Sequence, residues 1–357
     1  MNYEFPTIRH IDDVLPYVKD REEFVIAERD YGTVINYAVA MDDTFDMIDS
    51  NDLGGAIRRE CRGIIFDNYG NIMSRPFHKF FNVGERDETQ VHEIDMTQPH
   101  VIMEKMDGSM VRPVLADGYL RLATKMGVTE VSMQAEQWLA KQSVEFKEWL
   151  WSCLLMNVTP IFEWVSPKNQ IVLAYEKEDL VLLACRHNIT GEYFMPNEDD
   201  ACPFSVVPQY GSMSENLNSY IARQREAEER EGDVIRFDDG HMVKIKNDWY
   251  VRIHKALERV RFDRNIVDLI INEELDDVLP MMPAGEIERI RNFESRFWKA
   301  FRKTEGRLEA LHGLAWLNYQ ADRKRVALEF VPTFENKADA SFIFKMLDGK
   351  NLRDLML

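Results

Sequence analysis

An α+β fold is what this sequence predicts, an antiparallel-sheet domain over residues 1–254 followed by a smaller all-helical domain over 255–357. Three observations carry it. Short apolar runs flanking Asp-Gly and similar turns recur up to about residue 247, the pattern of hairpins. Beyond His254 those turns vanish until the end of the chain, and apolar residues recur at spacings of three and four. Finally, 357 residues, 45% hydrophobic and 30% charged, suffice for two cores in a soluble globular class.

The elements follow in order. "GIIFDNYGNIMSRPF" (63–77) reads as strand, turn, strand. "VIMEK" (101–105) is a short strand ending at Lys105, and Asp107-Gly108-Ser109 is turn chemistry in which Gly can take positive φ. "VRPVLADGYLRLATK" (111–125) is a hairpin around Asp117-Gly118, and "DVIRFDDGHMVKIKN" (233–247) another around Asp239-Gly240. Helical stretches fall near 128–156 and 214–229. In the tail, Ile287, Ile290, Phe293, Phe297 and Phe301 mark one face of a helix.

Charge narrows the partners. The net charge is −18, yet the segment from Lys255 onward holds 18 basic and 18 acidic residues, so the whole excess lies before it. Such a chain does not coat nucleic acid nonspecifically, but a local cluster of lysines still attracts a phosphate within a Debye length of about 8 Å. The four cysteines form no CxxC pair. No apolar run reaches membrane-spanning length, and "MNYEFPTIRHIDDV" lacks the basic start and apolar run of a signal peptide. A reduced, cytoplasmic protein with no membrane partner is expected.

The chemistry gathers around Lys105. A lysine nucleophile is protonated at neutral pH unless burial or neighbouring cations depress its pKa, and at a phosphate those cations also neutralise the transition state. "MVKIK" places Lys244 and Lys246 on one face of a strand, with Val243 and Ile245 on the other; a solvated strand face reads equally well. Glu231, in "EGDV", precedes the strand that hairpins back to those lysines, or else ends a solvated helix. Glu163 sits among Ile, Phe and Trp in "PIFEWVSP", where a carboxylate needs a partner such as a ligand hydroxyl or a metal. "ECRG" puts Arg62-Gly63 at a strand entrance. "RPFHKFFNVGE" offers Arg75, Lys79 and Phe81, with a basic-aromatic surface strand as the plain alternative.

In this order, "ECRG", "KFFN", "KMDGS", "FEW", "EGDV" and "VKIK" resemble the covalent nucleotidyltransferase superfamily of ligases and capping enzymes. "KFFNVGE" and "VKIKNDWYVRIH" are similar to the T-even phage RNA ligase 1 family, which repairs tRNA; the motifs run from Arg62 to Tyr250, with Tyr37 upstream in "VINYAVA". The resemblance implies a nucleotidyltransferase-type sheet domain in which Lys105 attacks the ATP α-phosphate and forms lysyl-AMP. It implies that Asp107 and Gly108 shape the presenting turn, that Arg62 and Glu163 contact the nucleotide and its ribose, and that Lys244 and Lys246 hold the α-phosphate. Phe81 and the aromatics beside Glu163 would pack the base. Tyr37, Lys79, Lys125 and Tyr250 match further positions of the family pattern. Glu231 would orient a catalytic metal, and Asp276, paired with Asp277 in "LDDV", would be a second metal position or simply a capped helix end. Phage relatives carry an acid after the lysine; this chain has Met106 there and Glu104 before the lysine.

Capping enzymes and DNA ligases follow the KxK strand with an all-β barrel, whereas helical periodicity follows it here. The expectation is an ATP-dependent, Mg²⁺-requiring RNA ligase that joins 3′-hydroxyl and 5′-phosphate ends. By the same resemblance its RNA is tRNA cleaved in the anticodon loop, and it works beside an end-healing kinase/phosphatase in a host cell's cytoplasm. The alternatives are a capping guanylyltransferase or DNA ligase of the same superfamily, and a non-catalytic RNA-binding protein on a ligase scaffold.

Overall fold

Strands dominate the chain up to Lys246, and helices alone follow. The computed structural model describes residues 4–41, 43–45, 53–196, 201–213 and 216–357. Two compact units, Met1–Val251 and Arg252–Leu357, divide the chain. The first runs β1 (Phe24–Arg29), β2 (Gly32–Tyr37), α1 (Leu53–Glu60), β3 (Arg62–Phe66), β4 (Ile72–Ser74), β5 (Phe81–Asn82), β6 (His100–Glu104), β7 (Ser109–Ala116) and β8 (Tyr119–Ala123). It continues with α2 (Glu130–Leu139), α3 (Val144–Leu155), β9 (Val158–Val165), β10 (Asp179–His187), β11 (Tyr193–Phe194), α4 (Leu217–Glu226), β12 (Gly232–Phe237), β13 (Met242–Lys246) and the start of α5 (Asp248–Arg259).

These strands form three sheets, ordered β1-β2-β3-β4, β11-β10-β9-β7-β8 and β5-β13-β12-β6. Every pairing is antiparallel except the short β5–β13 contact. The hairpins form where turn residues sit: Asp117 and Gly118 both take positive φ (54° and 79°) between β7 and β8, the two-residue geometry that matches strand twist. The helical stretch at 128–156 resolves into α2 and α3, with Thr129 capping α2 by accepting from the Ser132 amide. Of the stretch at 214–229, residues 214 and 215 lie outside the described residues, and α4 occupies Leu217–Glu226, ending three residues early.

Each sheet buries one face in its own core. Ile35, Ile64 and Phe66 pack with Phe45, Ile57 and Phe81; Phe162, Trp164 and Leu182 with Leu139 and Leu150; Ile235, Val243 and Ile245 with Leu217 and Ile221 of α4. The second and third sheets meet through two further clusters that share half-buried Leu183 and Val234. The site described below lies at that junction.

One ion trio ties this unit together. Glu60, Arg75 and Arg186 are each fully buried, with Glu60 3.0 Å from Arg75 and 2.7 Å from Arg186. Arg75 also donates to the carbonyls of Pro6, Asn188 and Ile189. A basic-aromatic surface strand at 75–81 is therefore incorrect: Arg75 is interior because its fork finds a carboxylate and three carbonyls there. Burial raises the Glu60 carboxyl, but the two guanidiniums overcome it and hold the pKa at about 2.

In the second unit α5 continues into α6 (Asp263–Ile271), α7 (Leu275–Val278), α8 (Ala284–Tyr319), α9 (Arg323–Arg325), α10 (Asp339–Leu347) and α11 (Leu352–Met356). Ile290 and Leu308 of α8 belong to two separate apolar clusters, one with Ile266 and Leu269, the other with Val326 and Ile343. None of the four cysteines forms a disulfide. Among the described residues, no helix is long and apolar enough to cross a membrane.

Candidate active site

Lys105 stands one residue past β6, and its backbone amide extends the ladder by donating to the Gly232 carbonyl at 2.9 Å. Its ammonium lies 2.7 Å from Glu231, and Lys246 reaches the same carboxylate oxygen at 2.9 Å. The hairpin register explains this: Gly232 faces Lys246 across β12–β13, so Glu231 and Lys246 emerge at one sheet end, beside the β6 end that carries Lys105.

The turn after Lys105 is held by a buried carboxylate. Asp107 accepts from the amides of Val172 (2.8 Å) and Leu173 (2.6 Å) and from the Tyr250 hydroxyl (2.7 Å). Its own amide donates to the Tyr175 hydroxyl at 3.0 Å. Gly108 is not in the positive-φ region, contrary to the turn-chemistry expectation. Its glycine requirement is steric: an added Cβ would lie 2.3 Å from the Trp164 carbonyl oxygen and 3.1 Å from Glu163 Cγ. The loop thus rests directly on β9, alongside Glu163. That side chain is half-buried, and burial raises its carboxyl to about 8 although Lys105 pulls the other way.

Beside this loop lies a basin of cations. On β13, Val243 and Ile245 are buried while Lys244 and Lys246 are half-buried on the other face. Among the described residues, Arg62, Lys79, Lys125 and Lys244 make no ion pair. Aromatic rings face them instead: Lys79 sits 4.9 Å from the Phe81 ring and 5.3 Å from that of Tyr37, Lys125 5.9 Å from Tyr37, Lys244 5.5 Å and Arg62 5.9 Å from Phe80. Burial, reinforced by Lys79, Arg62 and Lys105, brings Lys244 down to about 7. Burial raises the Tyr37 phenol, but Lys79, Arg62 and Lys125 outweigh it and hold its pKa below the ordinary value. Gly63, at φ +97°, lets β3 approach to where a Cβ would be 2.6 Å from Lys125 Cα, which brings Arg62 and Lys125 together. Fully buried Arg112 braces that junction, donating to Ser74 Oγ (2.9 Å), the Thr124 carbonyl (3.1 Å) and the Gly63 carbonyl.

Such a set, an amine on a sheet end with unneutralised cations around it, is built to receive an anion and react with it. A family model described as RNA ligase matches residues 60–250, the span from the end of α1 through Tyr250. The chain belongs to the RNA ligase family. A protein of Thermovibrio ammonificans provisionally named an RNA ligase is 30% identical to this ligase over 279 residues, covering 75% of this chain and 70% of that protein. RNA ligase 1 of bacteriophage TS2126 is 24% identical over 304 residues (80% and 75%). A protein of Autographa californica nuclear polyhedrosis virus, provisionally named a bifunctional polynucleotide kinase/RNA ligase, is 29% identical over 247 residues, 63% of this chain but only 35% of that protein.

Within the ligase, the sequence-derived residues fall into two places. Tyr37, Arg62, Lys79, Lys105, Gly108, Lys125, Glu163, Glu231, Lys244, Lys246 and Tyr250 all lie in the first unit, around the loop and basin just described. Asp276 lies on α7 of the second unit, exposed and 2.9 Å from Arg291. Of the rings expected to pack the base, Phe81 is 2% exposed and Phe162 and Trp164 are fully buried. The adjacent Phe80, just before β5, is half-buried beside Arg62 and Lys244 and faces the basin instead. Asn169, Tyr175 and Arg112 went unnoticed in the sequence.

Among the described residues no group of three or more His, Cys, Asp and Glu could hold a metal. Glu231 and Glu163 are nevertheless near enough to influence each other. Mg²⁺ commonly takes one or two carboxylates and draws its remaining oxygens from phosphate and water. Glu163 keeps its proton near neutral pH, so Glu231 is the carboxylate that fits an ion arriving with a nucleotide, not a dedicated protein cage.

Proposed function

We propose that this ligase seals an RNA 3′-hydroxyl to a 5′-phosphate in three steps driven by ATP. In the first, Lys105 Nζ attacks the α-phosphorus, the N–P bond forms, and the bond to the β-phosphate oxygen breaks to release pyrophosphate. The proton leaving Nζ passes to water, and Glu231, 2.7 Å away, stays an ionised carboxylate. In the second, an oxygen of an RNA 5′-phosphate displaces Lys105 from the adenylate, and the amine regains a proton. In the third, the 3′-hydroxyl attacks the activated 5′-phosphorus, loses its proton and expels AMP.

The observation that carries this reading is the placement of Lys105 on a sheet end, next to Glu231 and Lys246 and beside four cations that make no ion pair among the described residues. Lys244 and Lys246 hold the α-phosphate; Arg62, Lys79, Lys125 and the Tyr37 hydroxyl receive the remaining phosphates. Glu163, protonated near neutral pH, can donate to a ribose hydroxyl. Phe81 floors the basin, and the base packs against half-buried Phe80, Leu183 and Val234. Divalent metal, held by Glu231, would supply charge neutralisation at the phosphates; Asp276 serves a second ion only if it leaves Arg291.

The RNA proposed is tRNA broken in the anticodon loop and healed by a kinase/phosphatase, within a host cytoplasm. That reading is supported by resemblance to the phage family, and the pairing of kinase and ligase in the viral relative's name agrees with it. The helical unit, Arg252–Leu357, would recognise the RNA by shape. The test is incubation with ATP labelled at the α-phosphate and Mg²⁺, then denaturing electrophoresis, with Lys105→Ala and labelled GTP alongside. Label retained from ATP by the wild type only is expected, followed by transfer to 5′-phosphorylated RNA. Transfer from GTP, or to DNA alone, selects the capping or DNA-ligase alternative; no label on nucleotide-cleared protein overturns the mechanism in favour of a binding protein.

A further inference from the structure

We infer that residues 166–175, the segment leaving β9, form a strap that sets the pose of the Lys105 loop, with Asn169 and Tyr175 as positioning residues; this rests on the reading of Lys105 as nucleophile. The strap begins with a tight turn in which Ser166 Oγ accepts from the Lys168 amide at 3.1 Å. It then makes four hydrogen bonds to two loop residues, Asp107 and Ser109. Asn169 Nδ2 donates to Ser109 Oγ at 3.0 Å. The Val172 and Leu173 amides donate to the Asp107 carboxylate, and Tyr175 accepts from the Asp107 amide. Asp107 is 1% exposed, so a bond lost there is not replaced by water.

The geometry assigns the strap to the attacking step rather than to folding alone. Glycine at 108 lets the loop lie against the Trp164 carbonyl, and the strap holds the residues on either side of it, Asp107 and Ser109. Between them the turn two residues beyond Lys105 has one seat. Displacement of a nucleophile by about 1 Å costs on the order of 10²-fold in rate. Joining of an RNA already adenylylated at its 5′-end does not use Lys105 as nucleophile, so it is insensitive to this pose.

The full chain with Tyr175→Phe, Asn169→Ala, Ser109→Ala and the Asn169→Ala/Ser109→Ala double variant separates the possibilities. Initial rates of covalent AMP labelling are compared with rates of joining a preformed 5′-adenylylated RNA to a 3′-hydroxyl RNA without ATP. Labelling slowed about tenfold in each single variant, joining changed less than twofold, and a double variant no slower than its singles are expected. Tyr175→Phe keeps the ring, so it tests the bond without emptying the core. Equal loss in both assays, matched by a fall in melting temperature, overturns the positioning role in favour of a structural one; no loss in either overturns the strap. Absence of label on the wild type is a different failure, that of the lysyl-AMP reading itself, and the strap falls with it.

Discussion

Replacing Glu163 with Gln gives the sharpest check on the electrostatics of the site. The unfolded carboxyl titrates near 4.5, whereas the folded one is raised to about 8, first by burial and then by Glu231 and Asp107. Between those values the folded state binds one more proton than the unfolded, so stability falls as pH rises, by about 1.36 kcal/mol per pH unit. From pH 5 to pH 7 this amounts to about 2.7 kcal/mol, which Gln, having no proton to lose, does not suffer. Urea unfolding of the nucleotide-free protein at pH 5 and pH 7 reads the difference. The Gln variant's midpoint should gain about 1 M urea on the wild type between the two, for a slope of about 2–3 kcal/mol per M. Parallel shifts in the two proteins would refute the reasoning and place the carboxylate in an ordinary, solvated setting. Gln also keeps a donor for the ribose hydroxyl, so sealing should survive the substitution while stability at pH 7 rises.

Three further outcomes are expected. Lys244→Met should raise the melting temperature of the empty protein at pH 6, an advantage that fades as pH climbs from 7 towards 10.5, because only the unfolded lysine keeps its proton across that window; scans with and without ATP should also show that added ATP stabilises this variant less than the wild type. Glu60→Gln strands two buried guanidiniums and should cost about 3–5 kcal/mol in denaturant unfolding at neutral pH. In the wild type that stabilisation is complete above about pH 4.5 and drains away as acid approaches a pH of about 2, so the two proteins' acid-unfolding curves should converge there. Gly108→Ala must move the backbone off Trp164, and its covalent labelling rate should drop on the order of 10²-fold with little change in far-UV circular dichroism.

What the sequence disclosed was local. Asp117-Gly118 and Asp239-Gly240 announce their hairpins because a tight turn needs those residue types, and the alternation in "VKIK" separates its lysines from its core residues without reference to anything else. Lys105, Glu231 and Lys246 could be grouped because spacing within one hairpin and one strand end brings them together. Choosing between Phe80 and Phe81 was beyond such reasoning: both are aromatic, and which of them turns inward depends on the α1 residues and Phe45 packed against Phe81. Arg75 looked like a surface residue for the same reason, since its carboxylate partner comes from α1 and the third member, Arg186, from a strand 126 positions from Glu60. Asn169 and Tyr175 sit in a segment with no periodicity at all. Their partners are visible only once β9 has been laid beside the loop.

The amide of Lys105 belongs to the sheet, and that has a consequence for the entropy of the reaction. A lysine side chain brought to a single conformation gives up as much as about 2 kcal/mol of rotamer freedom, and a mobile backbone would add more. In this protein the backbone share is settled by the bond to Gly232, and contact with Glu231 has already narrowed the side chain before any nucleotide arrives. Ordering of the nucleophile is thus a debt discharged once, when the chain folds, and not again for every bond the enzyme seals.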